Sequence, residues 1–534
     1  MARDTDEAAD DDPGFAGWAL GAPLGLTLGL IAVIQIGTWA PHYLTWPYWA
    51  DHDVFATAAR AWDRGVLPYR EFRCNNFPGA IYLSHALGKV GGWGNPVALY
   101  AFDAGLLVTV VGLLVAWSRR RFGRSVPGWV GSLAFLSYYL GLDYSHAAQR
   151  DWHASGFAVL ALLMAQAWPG RFTGFGSATL TALALAFRPQ AVVFLPALVL
   201  ATWDRGAGQE GGESGRSVGR VAAWAAVVAV LVALAFLPLV VAGVFSDFLR
   251  SLRLVAYGSE YNRADLGSVA RGWLLQAAAL RWWVVPAGIL LLGRRADPGA
   301  RRTARPWLVA MAGASLYKPI SPLAHTYLDL PLELAWSVNL ATLAGLVASS
   351  PGTTAAVRLA AVLGLLGMGG TTLRPFFCVV GPNVRAVAAF RAGTRPEGTP
   401  PGYRRGTVPT SAYYPWADYR AALDHLRDHT GATTRVGNAL KGDPAITSPA
   451  DRPSAFPAES IAWLRMVHRQ DEGAFVESLE KAGDSVVLWD PDGVSPTAGF
   501  RLDRLEAAIR RLYEREARFG AIEIWRRKAA APAR

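Results

Sequence analysis

The sequence predicts an α-helical polytopic membrane protein with a long first outer loop and a small C-terminal α/β domain. Of its 534 residues 52% are apolar and only 17% charged, and the mean hydropathy is +0.21. Apolar runs of about 17 to 25 residues recur through the first two-thirds of the chain, each long enough to cross a hydrocarbon core about 30 Å thick. Disorder, collagen and a disulfide scaffold are excluded, the last because Cys74 and Cys378 are the only cysteines.

The elements follow in order. Residues 1–17 form an acidic leader carrying Asp4, Asp6, Glu7, Asp10, Asp11 and Asp12. The first run, Trp18 to Gly37, has no basic flank and no small-residue cleavage site, which predicts a retained helix rather than a signal peptide. Further runs at 97–117, 126–142, 152–168, 173–187, 190–203, 219–243, 273–293, 306–317, 326–347 and 355–372 bring the expected count to about eleven spans within 18–372. With a cytoplasmic N-terminus, the inside loops collect Arg119, Arg120, Arg121, Arg124, Arg171, Arg205, Arg216, Arg220, Arg294, Arg295, Arg301, Arg302 and Arg305. The tight outer turns hold only Arg150, Arg188 and Lys318. That asymmetry predicts a bacterial plasma membrane with the N-terminus inside. It also turns the net charge of +11 into a topology signal and argues against a nucleic-acid partner.

Two regions outside the bilayer are too long for turns: a first outer loop, 39–96, and a tail, 373–534, on the same extracytoplasmic side when the spans are odd in number. In the tail, Tyr419–Thr430 and Asp503–Arg518 read as helices, and Val436–Leu440, Ser485–Trp489 and Ile522–Trp525 as strands. No glycine-rich nucleotide site is visible, and Gly206–Gly219 reads as a flexible inside loop.

The outer loop is the most informative stretch. Phe55, Ala58, Ala59 and Trp62 fall at helical spacing opposite Arg60, Asp63 and Arg64, which describes a helix lying on the membrane surface. Gly65 can stop it, and Pro68 and Pro78 turn the chain back toward the second span. Asp51 and Asp53 open that helix. They share a face only where the backbone is extended, since two helical residues apart point about 200° apart. Capping the helix N-terminus is the plainer use for either.

Asp51, the amphipathic helix, Gly65, Pro68-Tyr69-Arg70-Glu71-Phe72 and Pro78-Gly79 followed by an aromatic and aliphatic run resemble the first outer loop of the GT-C superfamily. These are integral-membrane glycosyltransferases that use polyprenyl-phosphate sugars, and include the aminoarabinose transferases and protein O-mannosyltransferases. The matching motif spans about 35 residues. The resemblance implies a GT-C-like membrane domain, a polyprenyl-phosphate-linked donor and an extracytoplasmic lipid, glycan or protein acceptor. It places the family's loop acid, the base or acceptor-orienting group, on Asp51. Two departures stand out: His52 stands where the family often has a second acid, with another acid at Asp53 and the partner role left open, and Asn75-Asn76-Phe77 stands where a Lys is common before the Pro-Gly.

The chemistry leads to the same residues. Inverting transfer from a phosphate leaving group needs a carboxylate to take the acceptor's proton and fixed cations for the departing phosphate. Asp51 is expected as base and Asp53 as a positioning or metal-contacting group. Arg150, Lys318 and Arg188 are expected at the donor phosphate, although an ion pair of Arg150 with Asp143 or Asp151 and snorkelling of the other two are plainer readings. Tyr69, Glu71, Asp151, His153, His325, Tyr327 and Asp329 are expected around the donor and acceptor. Asp329 and Glu333 lie at i and i+4 near the outer boundary. The third outer loop, 244–272, carries Arg250, Arg253, Tyr257, Glu260 and Arg263 and reads as a cover for a headgroup or as a solvated amphipathic helix. His146, His153 and His325 lack metal-ligand spacing, so no protein-bound zinc is expected, whereas Mg or Mn could accompany the donor. Cys74 and Cys378 both fall on the oxidising side, where a disulfide is open to them. Rival functions are a transporter or flippase, which requires acids at mid-membrane and symmetric halves, a non-catalytic assembly protein, and a polymerase or ligase of envelope glycans.

Overall fold

In the computed structural model the described residues are 21–74, 76–142, 144–168, 170–204, 214–254, 266–277, 279, 281–293, 298–320, 326–350, 354–372, 380–392, 414–442, 444–458, 472–491, 494–495 and 500–529. The first run becomes helix α1 (Ala22–Tyr43). The outer loop folds into α2 (Ala50–Asp63) and α3 (Pro78–Gly91). The bundle continues with α4 (Pro96–Phe122), α5 (Val126–Tyr139), α6 (Arg150–Ala167) and α7 (Arg171–Phe187). A 3₁₀ turn, Pro189–Phe194, leads into α8 (Leu195–Asp204), and α9 (Ser214–Val241) follows.

Four stretches, Ala22–Tyr43, Pro96–Phe122, Ser217–Val241 and Tyr327–Ala348, are long and apolar enough to cross a membrane. Others are shorter than expected. The run at 273–293 breaks into α11 (Leu266–Ala277) and α12 (Arg281–Gly293) after α10 (Phe245–Arg253). Next come α13 (Pro298–Tyr317), a 3₁₀ turn at Thr326–Asp329, α14 (Leu330–Ala348), α15 (Ala355–Thr372) and α16 (Val380–Arg391).

Burial separates the centre of this bundle from its rim. All of α14 except Val347 is buried, against α5, α6 and α13. By contrast α1 exposes Leu26, Leu30 and Val33, and α9 exposes Val230, Leu234, Leu237, Val240 and Val241. Contiguous apolar surface of that extent is a liability in water and is matched in hydrocarbon.

The tail has its own two cores, one on each face of a mixed sheet of order β1-β2-β6-β5. Strand β1 (Arg435–Ala439) runs parallel to the fully buried β2 (Ser485–Trp489), which pairs antiparallel with β6 (Ile522–Arg527). Helices α17 (Trp416–His429), α18 (Thr447–Ala450), α19 (Gly473–Lys481) and α20 (Asp503–Leu512) accompany it, as does a short ribbon of β3 (Val494–Ser495) and β4 (Phe500–Arg501). One expectation is corrected: the helix foreseen over Asp503–Arg518 ends at Leu512, and β5 (Tyr513–Phe519) forms a hairpin with β6. Gly520, at φ 58°, supplies the left-handed residue that so tight a hairpin requires.

Candidate functional site

Helix α2 organises the site. It begins at Trp49 in extended backbone, without a side-chain cap, and stops at Arg64 before Gly65, whose φ of 86° suits a glycine. Because residues 51–53 are helical, Asp51 and Asp53 point to different sides and meet different partners.

Asp53 is buried, and its two carboxylate oxygens accept backbone N–H groups from Ile446 (2.9 Å) and Ser448 (2.9 Å) of the tail. Asp53, expected as a positioning or metal-contacting group, thus holds the tail against the loop helix. Arg60 adds to that joint through Asp451 (2.9 Å), as does the backbone N–H of Arg73 to Pro457 (2.7 Å).

Asp51, half-buried on the other side, accepts no hydrogen bond from the described residues. Its field reaches His52, Arg150 and Tyr327. Arg150 opens α6 and stacks its guanidinium over Phe55 at 5.1 Å. Its Nε and Nη1 are buried with no hydrogen-bond partner among the described residues. The expected ion pair with Asp151 belongs instead to Arg188, which donates to both Asp151 oxygens (2.8 and 3.0 Å), while the Tyr317 hydroxyl donates to the same carboxylate (2.9 Å). Asp151 is thus saturated, and Arg188 is held beside Arg150 rather than free to meet a phosphate.

Lys318 donates to both oxygens of Asp329 (2.9 and 2.8 Å), so these two expected site residues answer each other where both are partly exposed. Tyr327 is buried, with its ring tilted against His146 at 6.1 Å. Asp51, Arg150, Asp151, Arg188, Tyr317 and Tyr327 therefore form one electrostatic cluster at the N-terminal end of α6.

Other expected members lie elsewhere. Tyr69, buried at φ 67°, donates to the Asn76 carbonyl (2.7 Å) and packs edge-on to Phe248 in a core of the loop. Glu71 accepts the Leu67 N–H (2.7 Å) on the tail side. His153 faces inward to Asp103 (2.9 Å). His325, Asp143, Cys378 and residues 255–265 of the third outer loop lie outside the described residues, so the Cys74–Cys378 pairing does too. Within that loop, Asp247 of α10 accepts from Arg70 (2.9 Å).

The unforeseen centre is Asp103 on α4. Tyr43 and Tyr139 both donate to its Oδ2 (2.6 and 2.7 Å), and His153 meets Oδ1. A lone acid inside an apolar run was the available signal. Through the Tyr139 hydroxyl, which accepts the Ala148 N–H (3.1 Å), this network fixes the turn before Arg150. The Ala148 carbonyl in turn accepts from His52 Nε2 (3.2 Å), tying α2 to the same turn. Burial, with His153 nearby, outweighs Asp51, Asp103 and that hydrogen bond and lowers the His52 pKa to about 4.

The Pro-Gly of the loop has a packing reason. Pro78 starts α3, and a Cβ on Gly79 would stand 2.7 Å from the Ala186 carbonyl oxygen, so glycine lets α3 meet the end of α7 just before Arg188. Among the described residues no three His, Cys, Asp or Glu side chains gather to hold a metal ion.

Comparison with solved structures places this arrangement. ArnT from Cupriavidus metallidurans in the apo state matches with a TM-score of 0.58 at 13% identity, over 95% of this chain and 98% of that one. The same enzyme bound to undecaprenyl phosphate matches with a TM-score of 0.57 at 14% identity, over 96% and 100%. The chain shares the ArnT fold. With its long apolar helices, the chain is a multi-pass membrane protein. No family model and no curated protein matches the sequence.

Proposed function

We propose that the protein is a membrane glycosyltransferase of the GT-C type, which moves a sugar from a polyprenyl-phosphate donor to an extracytoplasmic acceptor with inversion. One observation carries this reading. A buried guanidinium with two N–H groups unpartnered among the described residues stands within the field of a carboxylate unbonded among them, in a fold shared with a protein whose structure has been solved with undecaprenyl phosphate. Buried donors are almost always satisfied, so the missing partner is supplied by a ligand, and a planar fork suits two phosphate oxygens.

In the reaction, Asp51 takes the proton of the acceptor's hydroxyl or amine as that atom bonds to the anomeric carbon. The bond from that carbon to the phosphate oxygen breaks, and the electron pair leaves with the polyprenyl phosphate, whose charge Arg150 holds. Arg188 keeps Asp151 neutralised, so the field at Arg150 stays positive. Lys318 with Asp329, and Tyr327, border the entry. The enzyme sits in the plasma membrane, with the arginine-rich helix ends inside and loop and tail outside.

Purified protein incubated with a panel of radiolabelled polyprenyl-phosphate sugars should consume one of them, and Asp51→Asn should lower turnover by about 100-fold or more. Turnover retained in Asp51→Asn removes the base. No consumption across the panel removes the donor class.

A further inference from the structure

Between the loop helix and the tail lies a cavity of about 310 Å³, at the lower end of the size range of small-molecule sites. Arg60 and Arg64 of α2 meet Arg435, Arg452 and Lys481 of the tail across it, against one lining carboxylate, Glu71. Part of this charge is structural. Arg60 is engaged by Asp63 and Asp451, and Arg452 donates to Thr430 and to the carbonyls of Arg427, Thr430, Ala450 and Asp451. These two supply potential rather than spare donors. Arg64 reaches Asp451 through Nη2 alone, Arg435 is exposed, and the exposed Lys481 donates to Glu477 (2.5 Å), an i,i+4 surface pair that a phosphate can replace.

Two hydroxyls point to a ligand with more than charge. Thr57 and Thr447 line the cavity at 4% and 1% exposure, and the Oγ1 of each is buried with no partner among the described residues. A helical threonine ordinarily donates to the carbonyl four residues earlier, as Thr38, Thr109, Thr202 and Thr342 do here. Thr57 does not, and a buried hydroxyl left this way is destabilising until a partner reaches it.

We propose that this cleft binds a phosphorylated sugar, with the phosphate against Arg64, Arg435 and Lys481 and the sugar hydroxyls against Thr57 and Thr447. The site is separate from the donor site. It lies on the opposite face of α2 from Asp51, displaced along the axis by about 14 Å between residues 51 and 60. The proposal stands whether or not Asp51 is a catalytic base. The phosphorylated sugar is either a unit of the acceptor or a free metabolite.

Full-length protein in detergent, titrated with glucose 1-phosphate, glucose 6-phosphate, glucose and inorganic phosphate and followed by tryptophan fluorescence, tests it. Saturable binding of a sugar phosphate is expected, at least tenfold tighter than glucose or phosphate. It should weaken tenfold or more in Arg435→Ala/Lys481→Ala and in Thr447→Val, and persist in Asp51→Asn. In the transfer assay, a defect of the double variant cured by more acceptor assigns the sugar to the acceptor. A defect confined to the response to added sugar phosphate assigns it to a metabolite. No saturable sugar-phosphate binding, inorganic phosphate binding equally well, wild-type affinity in the variants, or loss of binding in Asp51→Asn each overturns the proposal.

Discussion

Replacing Arg150 by Met should move stability and activity in opposite directions. The Arg150 Nε and Nη1 are buried without a hydrogen-bond partner among the described residues, a condition that costs about 1–3 kcal/mol per group. Against this stands its stacking over Phe55, a cation–π contact of about 0.5–2 kcal/mol. Asp151 keeps Arg188 and Tyr317 in the variant, so no buried carboxylate is orphaned. The balance favours Met, which fills similar volume without donors, and thermal unfolding in detergent should shift upward by the equivalent of about 1 kcal/mol or more. In transfer, two charged hydrogen bonds to the leaving phosphate, each about 1.5–3 kcal/mol, are lost together. At about 1.4 kcal/mol per decade, kcat/KM should fall by at least 100-fold. A variant that melts lower than the wild type would make the guanidinium a structural group. One that melts higher yet transfers normally would remove the phosphate contact. Either result refutes the reasoning.

Other perturbations test the frame around this cluster. Asp53→Ala leaves the Ile446 and Ser448 N–H groups unmatched, so it should cost about 2–4 kcal/mol and expose the 444–458 segment to protease, as seen by limited digestion. With the His52 pKa at about 4 in the fold and about 6.5 unfolded, the unfolded chain takes up a proton that the folded one refuses. Stability should therefore be complete above pH 6.5 and fall by about 3 kcal/mol as pH drops toward 4. His52→Gln, which keeps a donor for Ala148, should lack that part of the slope in a pH series of melting curves. Gly79→Ala places a methyl 2.7 Å from the Ala186 carbonyl oxygen, and should lower the melting point by about 1–3 kcal/mol equivalent and reduce turnover by displacing Arg188.

How far the sequence was legible depends on the length scale of each signal. Periodicity of 3.6 residues found helix α2, and Gly65 and Pro78 ended and resumed structure where glycine and proline chemistry say they should. Composition misled at Tyr513–Phe519, where Glu and Arg favour a helix but pairing with β6 imposes a strand. Ion pairs were the least legible. Asp151 is met by Arg188, 37 positions away, rather than by adjacent Arg150, because neighbours at the start of a helix project to different sides. Asp103 draws Tyr43, Tyr139 and His153 from three other helices, a convergence that hydropathy cannot encode. The docking of Asp53 onto Ile446 and Ser448 spans some 390 positions and leaves no local trace.

One helix therefore serves two sites. At 100° per residue, Asp51 and Phe55 of α2 turn toward Arg150, while Asp53, Thr57, Arg60 and Arg64 turn toward the tail. The tail is anchored to α2 through Asp53 and Asp451, and α2 is anchored to the turn before Arg150 through His52 and Ala148. Displacing the tail must load those same bonds, since a helix this short moves as a unit. Such a movement would change the separation of Asp51 and Arg150. If occupation of the basic cleft shifts α2, linkage requires a filled donor site to alter affinity in the cleft by the same factor, and equal cleft affinity with and without a bound polyprenyl phosphate would refute the coupling.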